Sequence, residues 1–120
     1  MRRLGERFKQ TVYMAHETYY GSGEYNQPLK YRVLVKPMRE GVISGGGIEN
    51  QYNTVELQIE TRVKNTKKIT ENTKVWINKI PDEAKLGRDS NYKVIGTNVN
   101  TTGYLLSIGC RSFEIGNKTI

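Results

Sequence analysis

Apolar and polar side chains alternate with a period of two along several stretches of this chain. The clearest stretch is TVELQIETRVK, residues 54–64, in which one set of alternate positions holds Val55, Leu57, Ile59, Thr61 and Val63. The intervening positions are polar, namely Glu56, Gln58, Glu60, Arg62 and Lys64. Successive side chains of a β-strand point to opposite faces, so this pattern predicts a strand with one face in the core and the other in water.

Five other stretches predict further strands: QTVYMA, LKYRVLVK, KVWINKI, NYKVIGTNV and GYLLSIGC. Pro37 ends the second of these, because proline cannot donate a ladder hydrogen bond, and the apolar face of that strand is Leu29, Tyr31, Val33 and Val35. In KVWINKI, Val75 and Ile77 share one face and Trp76 takes the other. The NTTG sequence supplies a glycine for a positive φ and predicts a hairpin turn between the last two strands.

Beyond the N-terminal segment, helix is predicted at one place. In IPDEAKLG, Pro81 suits the first helical position, Asp82 and Glu83 suit the positive N-terminal end, and Gly87 suits the exit. This segment is long enough for one or two turns. About six strands, short turns and so little helix predict an all-β fold, a small β-barrel or sandwich, with residues 1–120 as a single domain.

Positive charge is concentrated in two segments. The chain holds 19 Lys and Arg against 12 Asp and Glu, for a formal net charge of +7. Residues 1–9, predicted as a helical turn or a flexible N-terminal arm, hold four basic residues and one acidic residue. The second segment holds Arg62, Lys64, Lys67, Lys68 and Lys74. Such clusters favour contact with DNA or another anionic partner, although a solvated face that keeps the protein soluble explains them equally well.

Apolar residues make up 36% of the chain, so we expect a thin core. A chain that is poor in apolar side chains but clearly patterned often completes its burial against other copies or a partner. The reason is that hydrophobic burial must outweigh the entropy lost on ordering. The composition therefore favours a homo-oligomer or a complex.

Candidate catalytic residues are few. Cys110, the single cysteine, lies in an apolar alternating stretch and is predicted to be a small buried side chain, and His16 is the single histidine. Glu56 and Glu60 fall on a polar strand face, where solvation explains them, and the acidic residues lack calcium-loop spacing. We expect a protein without catalytic activity, cofactor or metal. Without a long apolar run or signal peptide, membrane contact is not expected.

Tyrosines are the other candidate binding residues. TYYGSGEYN places Tyr19, Tyr20 and Tyr25 in a glycine-containing turn, and tyrosines on loops are typical of protein interfaces. Tyr31 and Tyr92 lie beside basic residues in KYR and NYK, a pattern that also fits stacking on nucleic-acid bases. A single-stranded nucleic-acid-binding protein with an OB-like barrel is therefore an alternative function.

The connection EGVISGGGIENQYN is far longer than the loop of about two to five residues that joins most hairpin strands. The whole predicted loop spans residues 38–53. Its glycines do not fit a phosphate-binding loop. Such a loop requires a lysine, then a serine or threonine, and then a helix, and none of these follows Gly47. Glycine gives the backbone low-cost access to several conformations, so we predict a movable loop containing Val42, Ile43, Gly45, Gly46, Gly47 and Ile48.

The features follow a distinctive order along the chain: an N-terminal strand, the YGSGEYNQP turn, a strand ending in VKP, the long loop, and an amphipathic strand with a basic turn. After them comes the run from TKVWINKIP to NYKVIGTNVNTTGYLLSIGCRSFE. This order resembles the head-closure proteins of tailed bacteriophages, also called stoppers or head-tail connectors. The resemblance covers residues 10 to 115 and is one of order and pattern.

In that family, a small β-barrel protein forms a ring beneath the portal and adaptor proteins after DNA packaging and joins them to the tail or a tail-completion protein. A long loop between two strands closes the channel against the packaged DNA. The resemblance implies a structural protein of the virion neck, made in the bacterial cytoplasm, with residues 38–53 as the closing loop and its apolar side chains as the seal. A tail-terminator or adaptor ring protein is the related alternative.

Overall fold

The structure, a computed structural model, describes residues 9–37 and 52–115. Within these ranges the chain forms a closed barrel of six antiparallel strands, which confirms the predicted all-β fold and the barrel. The strands are β1 (Lys9–Ala15), β2 (Leu29–Pro37), β3 (Tyr52–Glu60), β4 (Lys74–Ile77), β5 (Tyr92–Val99) and β6 (Leu105–Ile115).

The strands follow the order β1-β2-β3-β6-β5-β4 around the barrel, and every neighbouring pair is antiparallel. Strand directions therefore alternate, and each strand end falls on one of two rims. The upper rim carries the connections 16–28, 61–73 and 100–104. The lower rim carries the start of β1, the connection between β2 and β3, the connection 78–91 between β4 and β5, and the end of β6 at Ile115.

The inward-facing side chains of the strands fill the barrel and form its core. Period-two alternation along the strands selects these side chains, because every second residue points inward. The core cluster contains Val12, Met14, Tyr31, Val33, Leu57, Ile59, Ile69, Val75, Ile77, Val94, Leu106, Ile108 and Cys110. The predicted inward faces of β3 and β4 are confirmed, and Trp76 takes the outer face of β4, where it is nevertheless fully buried.

The predicted strand over residues 54–64 is too long. β3 ends at Glu60, and the chain turns at Thr61, whose N–H donates to the carbonyl oxygen of Tyr104 at 3.0 Å. Val63 still packs against the core from outside the strand, which is why the alternation continues in the sequence. Glu60 is not on a solvated face as predicted. It is 3% exposed, because the turn brings Arg62 back onto its carboxylate, with Nε donating to Oε1 at 2.8 Å.

The connection 61–73 crosses the mouth of the barrel at the upper rim. It joins β3 to β4, and two strands separate these on either side, so the chain passes between opposite walls. Ile69 enters the core cluster from this segment and Thr66 is also buried. The crossing segment therefore closes the upper mouth with its own side chains.

The predicted helix is a single 3₁₀ turn, Glu83–Lys85. Asp82 is its N-cap, and the carboxylate accepts a hydrogen bond from the N–H of Ala84 at 3.0 Å. Gly87 has φ +85° and provides the predicted exit. The hairpin turn before β6 is also confirmed, with Gly103 at φ +81°.

The predicted arm and loop fall largely on residues that the structure does not describe. β1 begins at Lys9, and the structural description resumes at Tyr52 after Pro37. The predicted loop residues Val42, Ile43, Gly45, Gly46, Gly47 and Ile48 lie outside the described residues. The ladder between β2 and β3 reaches the Pro37–Val55 pair, so the connection joins two neighbouring strands at the lower rim.

Candidate functional site

The predicted tyrosines and the predicted basic segment meet on the upper rim. Connections 16–28 and 61–73 are joined by side-chain hydrogen bonds although about fifty residues separate them. The hydroxyl of Tyr20 donates to Glu71 Oε2 at 2.6 Å, and that of Tyr25 donates to the carbonyl oxygen of Asn72 at 2.8 Å. Barrel closure therefore assembles one surface from two distant parts of the sequence, and we call these two connections the upper-rim surface.

Glu17 holds the tyrosine-bearing connection in shape. Its carboxylate accepts hydrogen bonds from the N–H groups of Gly21 and Gly23, each at 2.9 Å, and from Asn72 Nδ2 at 3.0 Å. Gly21 and Gly23 have φ of +84° and +75°, a backbone region that side chains with a Cβ rarely adopt. The donors, with Gly21 contributing most, hold the pKa of Glu17 below its usual range. An ionised Glu17 thus fixes this connection against the crossing segment.

Two of the three predicted interface tyrosines are strongly exposed. Tyr19 is 70% exposed and Tyr20 is 65% exposed, whereas Tyr25 is half-buried. Tyr19 and Tyr20 line a cleft of about 210 Å³ together with Lys68. Exposed aromatic rings beside a cation offer a large contact area to a partner at a low cost in rotamer entropy.

The predicted basic residues have different environments. Lys64, Lys67 and Lys68 have exposed side chains on the crossing segment. Arg62 is paired with Glu60, and the Lys74 ammonium lies over the ring of Tyr25, 4.9 Å from its centroid. The three exposed lysines are therefore the part of the set that best fits contact with an anionic surface.

A buried polar network lies at the upper rim beside this surface. His16 is 2% exposed, its Nε2 lies 2.7 Å from the Tyr31 hydroxyl oxygen, and its Nδ1 lies 3.2 Å from Thr73 Oγ1. Both hydroxyls can donate or accept, so they satisfy both ring nitrogens of a neutral imidazole. Burial lowers the pKa of His16, and the positive charge of Lys68 lowers it further. The sequence contained a signal for this network, because His16 continues the inward-facing series Val12 and Met14.

Acid is expected to destabilise the barrel through His16. The folded state binds the His16 proton more weakly than the unfolded chain, whose histidine pKa is about 6.5. The stabilising effect is therefore complete above about pH 6.5 and is lost as the pH falls toward the lower folded pKa. Urea unfolding of the wild type and of His16→Gln between pH 8 and pH 4.5 measures this, and the wild type should lose stability more steeply below pH 6.5. Parallel pH dependences would contradict the prediction.

The tyrosines predicted for base stacking do not present their rings to solvent. Tyr31 is 4% exposed within the core cluster, and burial raises its pKa to about 12. Tyr92 is partly buried and packs against the same cluster. Both tyrosines occupy inward positions of their strands, with Lys30 and Arg32 beside Tyr31 and Lys93 beside Tyr92.

Cys110 is fully buried, as predicted, and burial raises its pKa to about 12. A thiol with so high a pKa is a poor nucleophile. Across residues 9–37 and 52–115, the structure contains no group of three side chains from His, Cys, Asp and Glu that could hold a metal ion. None of the helical segments in these ranges has the length and apolar character needed to cross a bilayer.

Comparison with known proteins identifies no relative of this chain. No protein-family model matches it, and neither the curated proteins nor the solved structures contain a significant match.

Proposed function

We propose that this protein is a structural component of the neck of a tailed bacteriophage, of the head-closure type. In this role a ring of copies lies beneath the portal and adaptor proteins and seals the channel after DNA packaging. The other side of the ring forms the docking surface for the tail or a tail-completion protein. The proposal includes no catalytic activity and no cofactor.

The observation that carries the proposal is the position of the connection between β2 and β3. It joins two neighbouring strands of a closed barrel at the lower rim, and it contains Gly45, Gly46 and Gly47. A channel-closing segment needs a rigid frame and a backbone that adopts more than one conformation. The closed barrel supports the first requirement and the glycines support the second.

The upper-rim surface supports different functions for the two rims in the proposed ring. Tyr19, Tyr20 and Lys68 line a cleft at the rim opposite the β2–β3 connection. In the proposed ring, the lower rim provides the channel-closing segment and the upper rim binds partner proteins. The exposed lysines of the upper rim also contact the packaged double-stranded DNA.

A tail-terminator or adaptor ring protein is the nearest alternative, since it requires the same barrel and the same kind of interface. Position in the particle separates these functions. The single-stranded nucleic-acid-binding alternative has less support, because Tyr31 and Tyr92 contact the core.

The proposal is tested by locating the subunit in virions of the phage that encodes it. Cryo-electron microscopy is expected to show the six-stranded barrel repeated as a ring in the neck, between the adaptor and the tail. A ring at the head-proximal end of the tail tube would identify a tail terminator, and a ring directly on the portal would identify an adaptor. Absence of the subunit from mature particles would contradict all three structural functions.

A further inference from the structure

A groove lies on the outside of the barrel beside Trp76. Its volume is about 450 Å³, and its lining comes from β1, from residues 23–28 and from residues 81–87. Trp76 points away from the core because its neighbours Val75 and Ile77 point into it. The groove is therefore separate from the barrel interior, and it borders the upper-rim surface through residues 23–28.

The groove combines an apolar lining with negative charge. The apolar contribution comes from Ala15, Tyr25, Pro28, Trp76, Pro81 and Leu86. The charged residues of the lining are Glu24, Asp82 and Glu83, so among the described residues every charged lining side chain is acidic. The nearby cations do not belong to the lining: Lys85 and Arg88 lie on the same connection, and the Lys74 ammonium lies over the ring of Tyr25. A suitable occupant carries apolar side chains flanked by cations.

One wall of the groove is held in place by backbone and side-chain hydrogen bonds. The N–H of Asp82 donates to Asp89 Oδ2 at 2.8 Å, and Asp89 is itself buried. The side chain of Asn91 bonds both the N–H and the carbonyl oxygen of Ile77, at 3.0 and 2.8 Å. The connection between β4 and β5 is thus anchored at the end of β4, and a partner meets a preformed wall.

Residues 1–8 of the same sequence have the matching chemistry. The segment MRRLGERF carries three arginines and one glutamate around Leu4 and Phe8. Two apolar side chains interspersed with arginines complement an apolar groove with three acidic residues. We propose that the groove of one copy binds residues 1–8 of a second copy, so that the basic segment links neighbouring subunits.

Strand geometry favours binding of residues 1–8 to the groove of a second copy over binding to the groove of the same molecule. The groove contacts β1 at Ala15, whereas residues 1–8 join β1 at Lys9. At about 3.3 Å per residue these positions lie roughly 20 Å apart along the strand. Phe8 directly precedes Lys9 in the sequence, so residues 1–8 would have to double back along β1 to reach the Ala15 end of their own groove, whereas the segment of a second copy meets no such constraint. This inference about self-association does not depend on the proposed function in a phage neck.

A charge-exchange experiment on the full chain tests the proposal. Sedimentation velocity over a concentration series should show that Arg3→Glu and Glu83→Lys each weaken self-association at least tenfold. Combining the two changes should restore part of the loss, because the reversed charges on the segment and on the groove wall attract each other again. The control is Glu56→Lys on β3, which lies opposite β4 in the barrel, and it should behave as the wild type.

Trp76, the single tryptophan, provides a second readout that does not require stable oligomers. Titrating the peptide MRRLGERF into dilute full-length protein should change the Trp76 fluorescence saturably, and the peptide with both early arginines replaced by glutamate should not. Absence of any response up to millimolar peptide would overturn the proposal. So would association unaffected by either single charge reversal, or a concentration-independent effect of Arg3→Glu on Trp76, which would indicate binding within one chain.

Discussion

Replacing Leu57 by alanine is expected to lower the free energy of unfolding by about 2–5 kcal/mol. Leu57 is fully buried and belongs to the core cluster. It lies on β3, where it pairs with Val35 of β2 and Ile108 of β6, so the cavity opens between three strands. A closed barrel collapses poorly around such a cavity, because each strand is fixed by ladders on both sides. Urea denaturation monitored by circular dichroism gives the value.

Ile80→Ala is the control for this experiment. It removes the same number of carbon atoms, but Ile80 is 76% exposed and does not line the groove beside Trp76, so the truncation is expected to change stability by about 0.5 kcal/mol or less. Equal losses for the two variants would show that the barrel interior is not the main source of stability.

Deleting residues 41–50 is expected to leave the barrel folded and to release packaged DNA from filled heads. Residues 38–40 and 51 would remain between Pro37 and Tyr52, and about two to five residues suffice to join neighbouring antiparallel strands. Without a channel-closing segment, heads should fill but lose their genome, so nuclease-protected DNA in particles should fall at least tenfold. Circular dichroism of the purified variant checks the fold.

A variant of unchanged length distinguishes the effect of the apolar side chains from the effect of shortening the loop. Val42, Ile43 and Ile48 are each replaced by serine, which keeps the glycines and removes the apolar side chains. DNA retention should fall in this variant as well if these side chains form the seal. Normal retention in the deletion variant, or an unfolded product, would contradict the channel-closing role of the segment.

The strands could be predicted because alternation carries direct information about which face is buried. Val75 and Ile77 on one side of Trp76 gave the correct faces even for the shortest strand. The end of β3 could not be predicted from alternation, since Val63 is partly buried against the core after the strand has ended and so extends the pattern. What ends the strand is the turn over residues 60–63, in which the N–H of Val63 donates to the carbonyl oxygen of Glu60 at 3.0 Å.

The sequence predicted which residues belong to the candidate site but not how they are arranged in space. Sequence reasoning selected Tyr20 and Lys68, yet their proximity arises from the crossing of the upper mouth by residues 61–73. Burial of Trp76 on the outer face likewise depends on a later connection that packs over β4. Burial of Glu60 follows from the turn after β3. The first two features are long-range consequences of barrel closure, which a local pattern does not encode, and the third depends on a turn that the continued alternation conceals.

Because Cys110 is buried, the reactivity of its thiol reports when the barrel opens. The thiol sits on β6 between Val55 of β3 and Val94 of β5, and no reagent reaches it while both ladders are intact. In an unfolded chain the thiol pKa is about 8.5, so the thiolate becomes available near neutral pH. The alkylation rate of this one sulfur atom therefore reports opening of the barrel, whether by separation of strands or by global unfolding.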